Sequence, residues 1–158
     1  MKRSHKSGLG FGVTSGIIMP IGLIVGLYSS TQNTGVVIGG ILTAAIADSF
    51  ADSLGVHVSK ESDHQYSTKE VWEATIATFF SKFFFALMFI LPLLLFPLKI
   101  AVLTAVILGI TILSFFSYFI AKGRNGNPWF AIFEHIGIAV VVIAITYYLP
   151  PIINQFFG

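Results

Sequence analysis

The sequence has no cysteine and little charge, with Asp, Glu, Lys and Arg making up 10% of it. The missing cysteine excludes disulfides, thiolate metal sites and thiol nucleophiles. The shortage of charge constrains the fold more tightly, because a soluble domain of ordinary composition carries about 25%. A chain of 158 residues that is 55% hydrophobic has too little polar surface to coat a water-soluble globule. A basic cluster is also lacking. The formal net charge is +2 and the Lys and Arg residues are scattered through turns, which argues against nucleic acid as a partner.

What is present is apolar length. Sixteen phenylalanines and a mean hydropathy of +0.86 make lipid the natural solvent. A spanning helix needs about 20 mostly apolar residues. Five stretches qualify, over residues 9–28, 36–58, 76–96, 100–121 and 129–149, the third with an amphipathic lead-in from Ser67. The breaks between them are turn-forming or polar, as in Ser29 to Asn33, Ser59 to Lys69 and Lys122 to Pro128. The expected fold is an all-α membrane protein with five transmembrane helices and a single transmembrane domain over residues 1–158.

Orientation follows from the basic residues of the turns. Lys2, Arg3, Lys6, Lys60, Lys69, Lys122 and Arg124 fall on one side, against Lys99 alone on the other. The N-terminus is therefore expected in the cytoplasm and the C-terminus outside, in the plasma membrane of a prokaryote. The basic start MKRSHKSG reads as a cytoplasmic tail, since no small-residue cleavage site follows a short apolar run.

Ionisable residues at membrane depth cost about 2.5–3.5 kcal/mol each on the insertion scale, and they mark function by default. Asp48 and Asp52 lie four apart in the second span, about 40° around a helix and so on one stripe. Two such carboxylates cannot both ionise cheaply unless they share a proton or hold a cation between them. A protonated pair that only fixes helix packing is the alternative. Ser15, Ser49 and Ser53 are the hydroxyls expected to supplement a cation site. The same helix carries small residues at Gly40, Ala44, Ala47, Ala51 and Gly55, expected to bring it against a neighbour.

The turn after the second span concentrates His57, Glu61, Asp63, His64, Glu70 and Glu73, a carboxylate and imidazole set suited to loading a divalent metal from the cytoplasm. A solvated loop is the plainer reading. Lys82, about six positions into the third span, is expected to snorkel to the headgroups or to pair with Glu134. Glu134 and His135 open the fifth span, as interfacial anchors or as functional groups. In the first span, Gly12-x-x-x-Gly16 and Gly22-x-x-x-Gly26 flank Pro20, which suggests a kinked helix packing against its own copy in a homodimer.

These residues resemble the vacuolar iron transporter family, five-helix dimeric carriers of Fe(II) and Mn(II). The family's opening motif reads Ser-Asp-Gly, three residues, Pro, five residues, Gly-Leu; here it stands as Thr14-Ser15-Gly16, Pro20 and Gly26-Leu27. Its Ser-Met-Ala-x-Gly-Glu-Tyr-x-Ser segment is similar to Ala51 through Ser59. The departures lie at the ligands. Ser15 stands where the family has an aspartate, Asp52 where it has a methionine, and Asp48 where a small residue is usual. Two carboxylates on one helix are hard oxygen donors, which favour Mn(II), Mg(II) or Fe(II).

The resemblance implies a divalent metal ion transporter, proton-coupled and exporting from the cytoplasm, with membrane lipid and the cation as partners. No permanently bound cofactor and no enzymatic activity are expected. A membrane scaffold without transport is one alternative. A metal-dependent membrane phosphotransferase is another, but it needs an Asp-Gly pair and a downstream Ala-Arg that this chain does not have.

Overall fold

A computed structural model describes the backbone of residues 3–157 and the side chains from 7 to 156. The basic residues Lys2, Arg3 and Lys6, which carry much of the orientation argument, have side chains outside that range. The chain forms α1 (Arg3–Thr31), α2 (Thr34–Glu61), α3 (Thr68–Met88), α4 (Ile90–Leu95), α5 (Leu98–Gly123) and α6 (Pro128–Phe157). Five apolar lengths are long enough to cross a membrane: α1, α2, α3 continued by α4, α5 and α6. The five expected spans are therefore all present, each longer than the apolar core the sequence marks.

Local chemistry explains the boundaries. Gln32 takes φ 49°, in the left-handed region, and its N–H donates to the Tyr28 carbonyl (3.1 Å), closing α1. Asn33 then caps α2, its Oδ1 accepting from the Val36 N–H at 3.1 Å. At α3, Ser67 and Glu70 form a reciprocal capping box, which starts the helix well before its apolar run. Pro92 breaks this span. Its ring lacks an N–H and crowds the carbonyl of Met88, four residues back. The Phe89 N–H bonds instead to Ala86 at 3.2 Å, and the chain resumes as α4.

Helix α1 is the hub. Over half of its apolar window is buried (56%), against 6% for α6, and it packs on α2, α3, α5 and α6. Val13, Ile17, Ile21, Ile24 and Val25 of α1 form the core with Val37 and Ile41 of α2, Phe89, and Ala101, Ala105 and Leu113 of α5. Pro20 lies inside an unbroken α1, where the carbonyl it deprives of a partner belongs to Gly16.

The glycine pairs of α1 are turned into the chain itself. A Cβ on Gly12 would collide with Ser81 and the Thr78 carbonyl, and one on Gly16 would come within 2.9 Å of the Lys82 carbonyl. Gly22 and Gly26 face Val142 and Thr146 of α6. The close-approach grooves of this helix are thus occupied by α3 and α6 of the same chain. The small-residue face of α2 is used only in part. Gly40 meets Leu27 of α1, whereas Ala47, Ala51 and Gly55 are exposed.

Candidate cation-exchange site

Asp48 lies 14 residues after the start of α2 and 13 before its end, and Lys82 has the same place in the span Thr68–Leu95. At 1.5 Å per residue both stand about 20 Å from either end of their spans. Because α1 allows α3 to approach closely at Gly12 and Gly16, Lys82 is carried into the junction of α1, α2 and α3. There its Nζ forms ion pairs with Asp48 Oδ2 and Asp52 Oδ2. Ser15 Oγ of α1 donates to the same Asp52 oxygen at 2.9 Å. Three helices thus meet through four polar side chains.

Two expectations for Lys82 fall on this geometry. It does not snorkel, because the capping box starts α3 eight residues before position 76, which puts Lys82 at mid-helix with its side chain 2% exposed. It does not pair with Glu134, which is exposed on α6. The cation between the two carboxylates is the chain's own ammonium. Counted as ionised groups, two carboxylates and one ammonium carry a formal charge of −1. The Asp48 side chain is 36% exposed and that of Asp52 24%, so the surplus charge is reachable from outside the protein core.

The remaining predicted ligands divide. Ser53 Oγ donates to the Phe50 carbonyl of its own helix (2.9 Å) and takes no part in the cluster. Ser49 is fully buried, and its hydroxyl has no hydrogen-bond partner. Among the described residues no three His, Asp or Glu side chains converge where a metal ion could be held. The expected loading cluster is accordingly dispersed. His57 Nδ1 bonds Thr75 Oγ1 (2.9 Å), its Nε2 stands 4.0 Å from Glu61, and its ring meets the edge of Trp72. Asp63 accepts from the Gln65 N–H at 3.0 Å, Glu70 serves the capping box, His64 is exposed and Glu73 is half-buried. His135 is half-buried and tied through Nδ1 to Ser117 Oγ at 2.7 Å, which joins α6 to α5.

A scan against protein-family models found no match to this chain, and a search of curated proteins found none either. The resemblance to the iron transporter family therefore stands on the motif residues of α1 and α2 and on the number and order of the spans. Of those, Ser15 and Asp52 are in direct contact.

Proposed function

We propose that the chain is a membrane transporter that exchanges a cation for the Lys82 ammonium at Asp48 and Asp52. One observation carries this reading: the Lys82 side chain held between two carboxylates near the middle of its span, a set whose formal charge is −1. A cluster kept only for packing is poorly explained by such chemistry. Buried ion pairs are often no more stabilising than apolar residues of the same volume, and a surplus charge makes the balance worse. Intramembrane charges instead tend to mark pathways for ions and protons.

A divalent metal such as Mn(II) or Fe(II) is the cargo implied by the resemblance. It reaches both carboxylates and Ser15 only when Lys82 withdraws. Charge balance then links transport to protons. A doubly charged ion would leave the cluster positive if Lys82 stayed an ammonium, and neutral if Lys82 gave up its proton. In this reading, inward proton movement drives cation export. The paired carboxylates are the hard oxygen donors such ions prefer, and Lys82 is the built-in competitor that resets the site.

The test is uptake into proteoliposomes of Mn(II), Fe(II), Co(II) and Mg(II), under a pH gradient imposed in each direction. The Asp48→Asn/Asp52→Asn double variant runs alongside. Saturable uptake by the wild type that vanishes in the variant supports the reading and ranks the ions. A folded wild type that moves no cation under either gradient would leave a scaffold as the better account.

A further inference from the structure

Between α1, α2 and α6 lies an open groove with a volume of about 750 Å³, within the range of about 300–1,000 Å³ that small-molecule sites occupy. Met19 and Leu23 of α1 and Val142 and Ile153 of α6 give it apolar walls. At one end it reaches Ser30 and Asn154, near the C-terminal ends of α1 and α6; at the other it reaches mid-helix α2. Asp48 is the one ionisable residue in its lining. Asp52 and Lys82 stand behind Asp48, outside the lining.

Charge and shape together select an occupant. With Lys82 in place and both carboxylates ionised the cluster is short of one positive charge, so a single added cation brings it to zero without any proton leaving. A divalent ion overshoots, and beside Asp48 the mostly apolar walls offer only the neutral side chains of Ser30, Thr146 and Asn154. A lipid acyl chain suits the walls but would leave a carboxylate facing hydrocarbon, which is unfavourable. A molecule with an apolar body and one positive charge satisfies both. We infer that this groove binds a lipophilic monovalent cation, of the ammonium or phosphonium kind, with its charge against the Asp48 carboxylate. The inference rests on Asp48 being an exchangeable carboxylate, as proposed above, and it adds a substrate class that the metal reading does not contain.

The probe is tetraphenylphosphonium, measured by equilibrium dialysis on the purified full chain in detergent. Wild type is compared with Asp48→Asn, Asp48→Glu and Ala44→Phe. Asp48→Asn leaves Asp52 and Lys82 as a neutral pair, so its fold is expected to persist; monodisperse elution checks this. Ala44→Phe fills the groove without touching a charge, and it decides the matter if Asp48→Asn does not stay monodisperse. Saturable wild-type binding is expected, weakened roughly tenfold or more in Asp48→Asn and Ala44→Phe and kept in Asp48→Glu. Equal binding by wild type and Asp48→Asn would assign the groove to lipid chains and overturn the inference, as would the absence of saturable binding or its survival in Ala44→Phe. The two proposals fail separately. Asp-dependent Mn(II) uptake without phosphonium binding sinks only this one, and Asp48-dependent binding without transport of any cation sinks only the transporter.

Discussion

Replacing Lys82 by methionine tests the cluster most directly. The substitution keeps the stem and removes the ammonium from a side chain that is 98% buried, leaving Asp48 and Asp52 facing each other with no counter-charge. Removing one partner of a buried ion pair costs about 3–5 kcal/mol. For a chain of this length that is a drop of roughly 6–20 °C in melting temperature. The same argument predicts a rescue. Adding Asp48→Asn and Asp52→Asn to Lys82→Met removes all three charges, and neutralised clusters of this kind are often as stable as the charged originals. The triple variant is expected to melt near the wild type while moving no cation. The assay is unfolding in detergent for wild type, Lys82→Met, the double Asn variant and the triple, read as a double-mutant cycle. A coupling of about 0.5–3 kcal/mol is expected between position 82 and the aspartates. Stability in Lys82→Met equal to that of the wild type, or a triple variant no better than Lys82→Met, would refute the reasoning.

Further substitutions probe the surroundings. Ser49→Ala deletes a buried hydroxyl without a partner, so thermal stability is expected to hold or to rise by up to about 1 kcal/mol; a loss above that would mean the hydroxyl has a partner. Gly12→Leu drives a side chain into Ser81 and the Thr78 carbonyl, and an overpacking cost of about 1–3 kcal/mol or more should appear as a lower melting temperature or loss of monodisperse protein. His57→Ala is expected to leave the concentration dependence of metal uptake unchanged, because His57 is engaged with Thr75 and Trp72 and not with a ligand set. A several-fold rise in the half-saturating concentration would restore a loading role to the turn.

The number and order of the spans were legible because apolar length and turn chemistry are local properties, readable one segment at a time. The Asp48–Asp52 stripe was legible for the same reason: helical spacing alone puts both carboxylates on one face. The partner of that stripe was not. Nothing in the period of α3 tells which neighbour Lys82 faces, and the polar start of α3, set by Ser67 and Glu70, hid how deep Lys82 lies. The intrachain neighbours of the α1 glycine pairs were hidden for a different reason. Spaced small residues allow a close approach to any helix, and sequence does not distinguish a second copy from α3 and α6 of the same chain. In the acidic turn, proximity in sequence does not become a three-ligand convergence among the described residues.

The ion pairs between α2 and α3 also bear on how the protein enters a membrane. Of the five spans α2 has the lowest mean hydropathy, 1.6. Inserted alone, it would carry two carboxylates into lipid at about 2.5–3.5 kcal/mol each. Lys82, arriving on the next helix, cancels one of those charges, and α3 would otherwise bring its own ammonium into lipid unpaired. Only residues 62–67 separate the two helices. The favourable unit of insertion is therefore the α2–α3 hairpin. A truncated chain ending before α3 should pass through the insertion machinery poorly, and one ending after α4 should integrate. In that order of events, Lys82 serves as the passport of α2 into the bilayer.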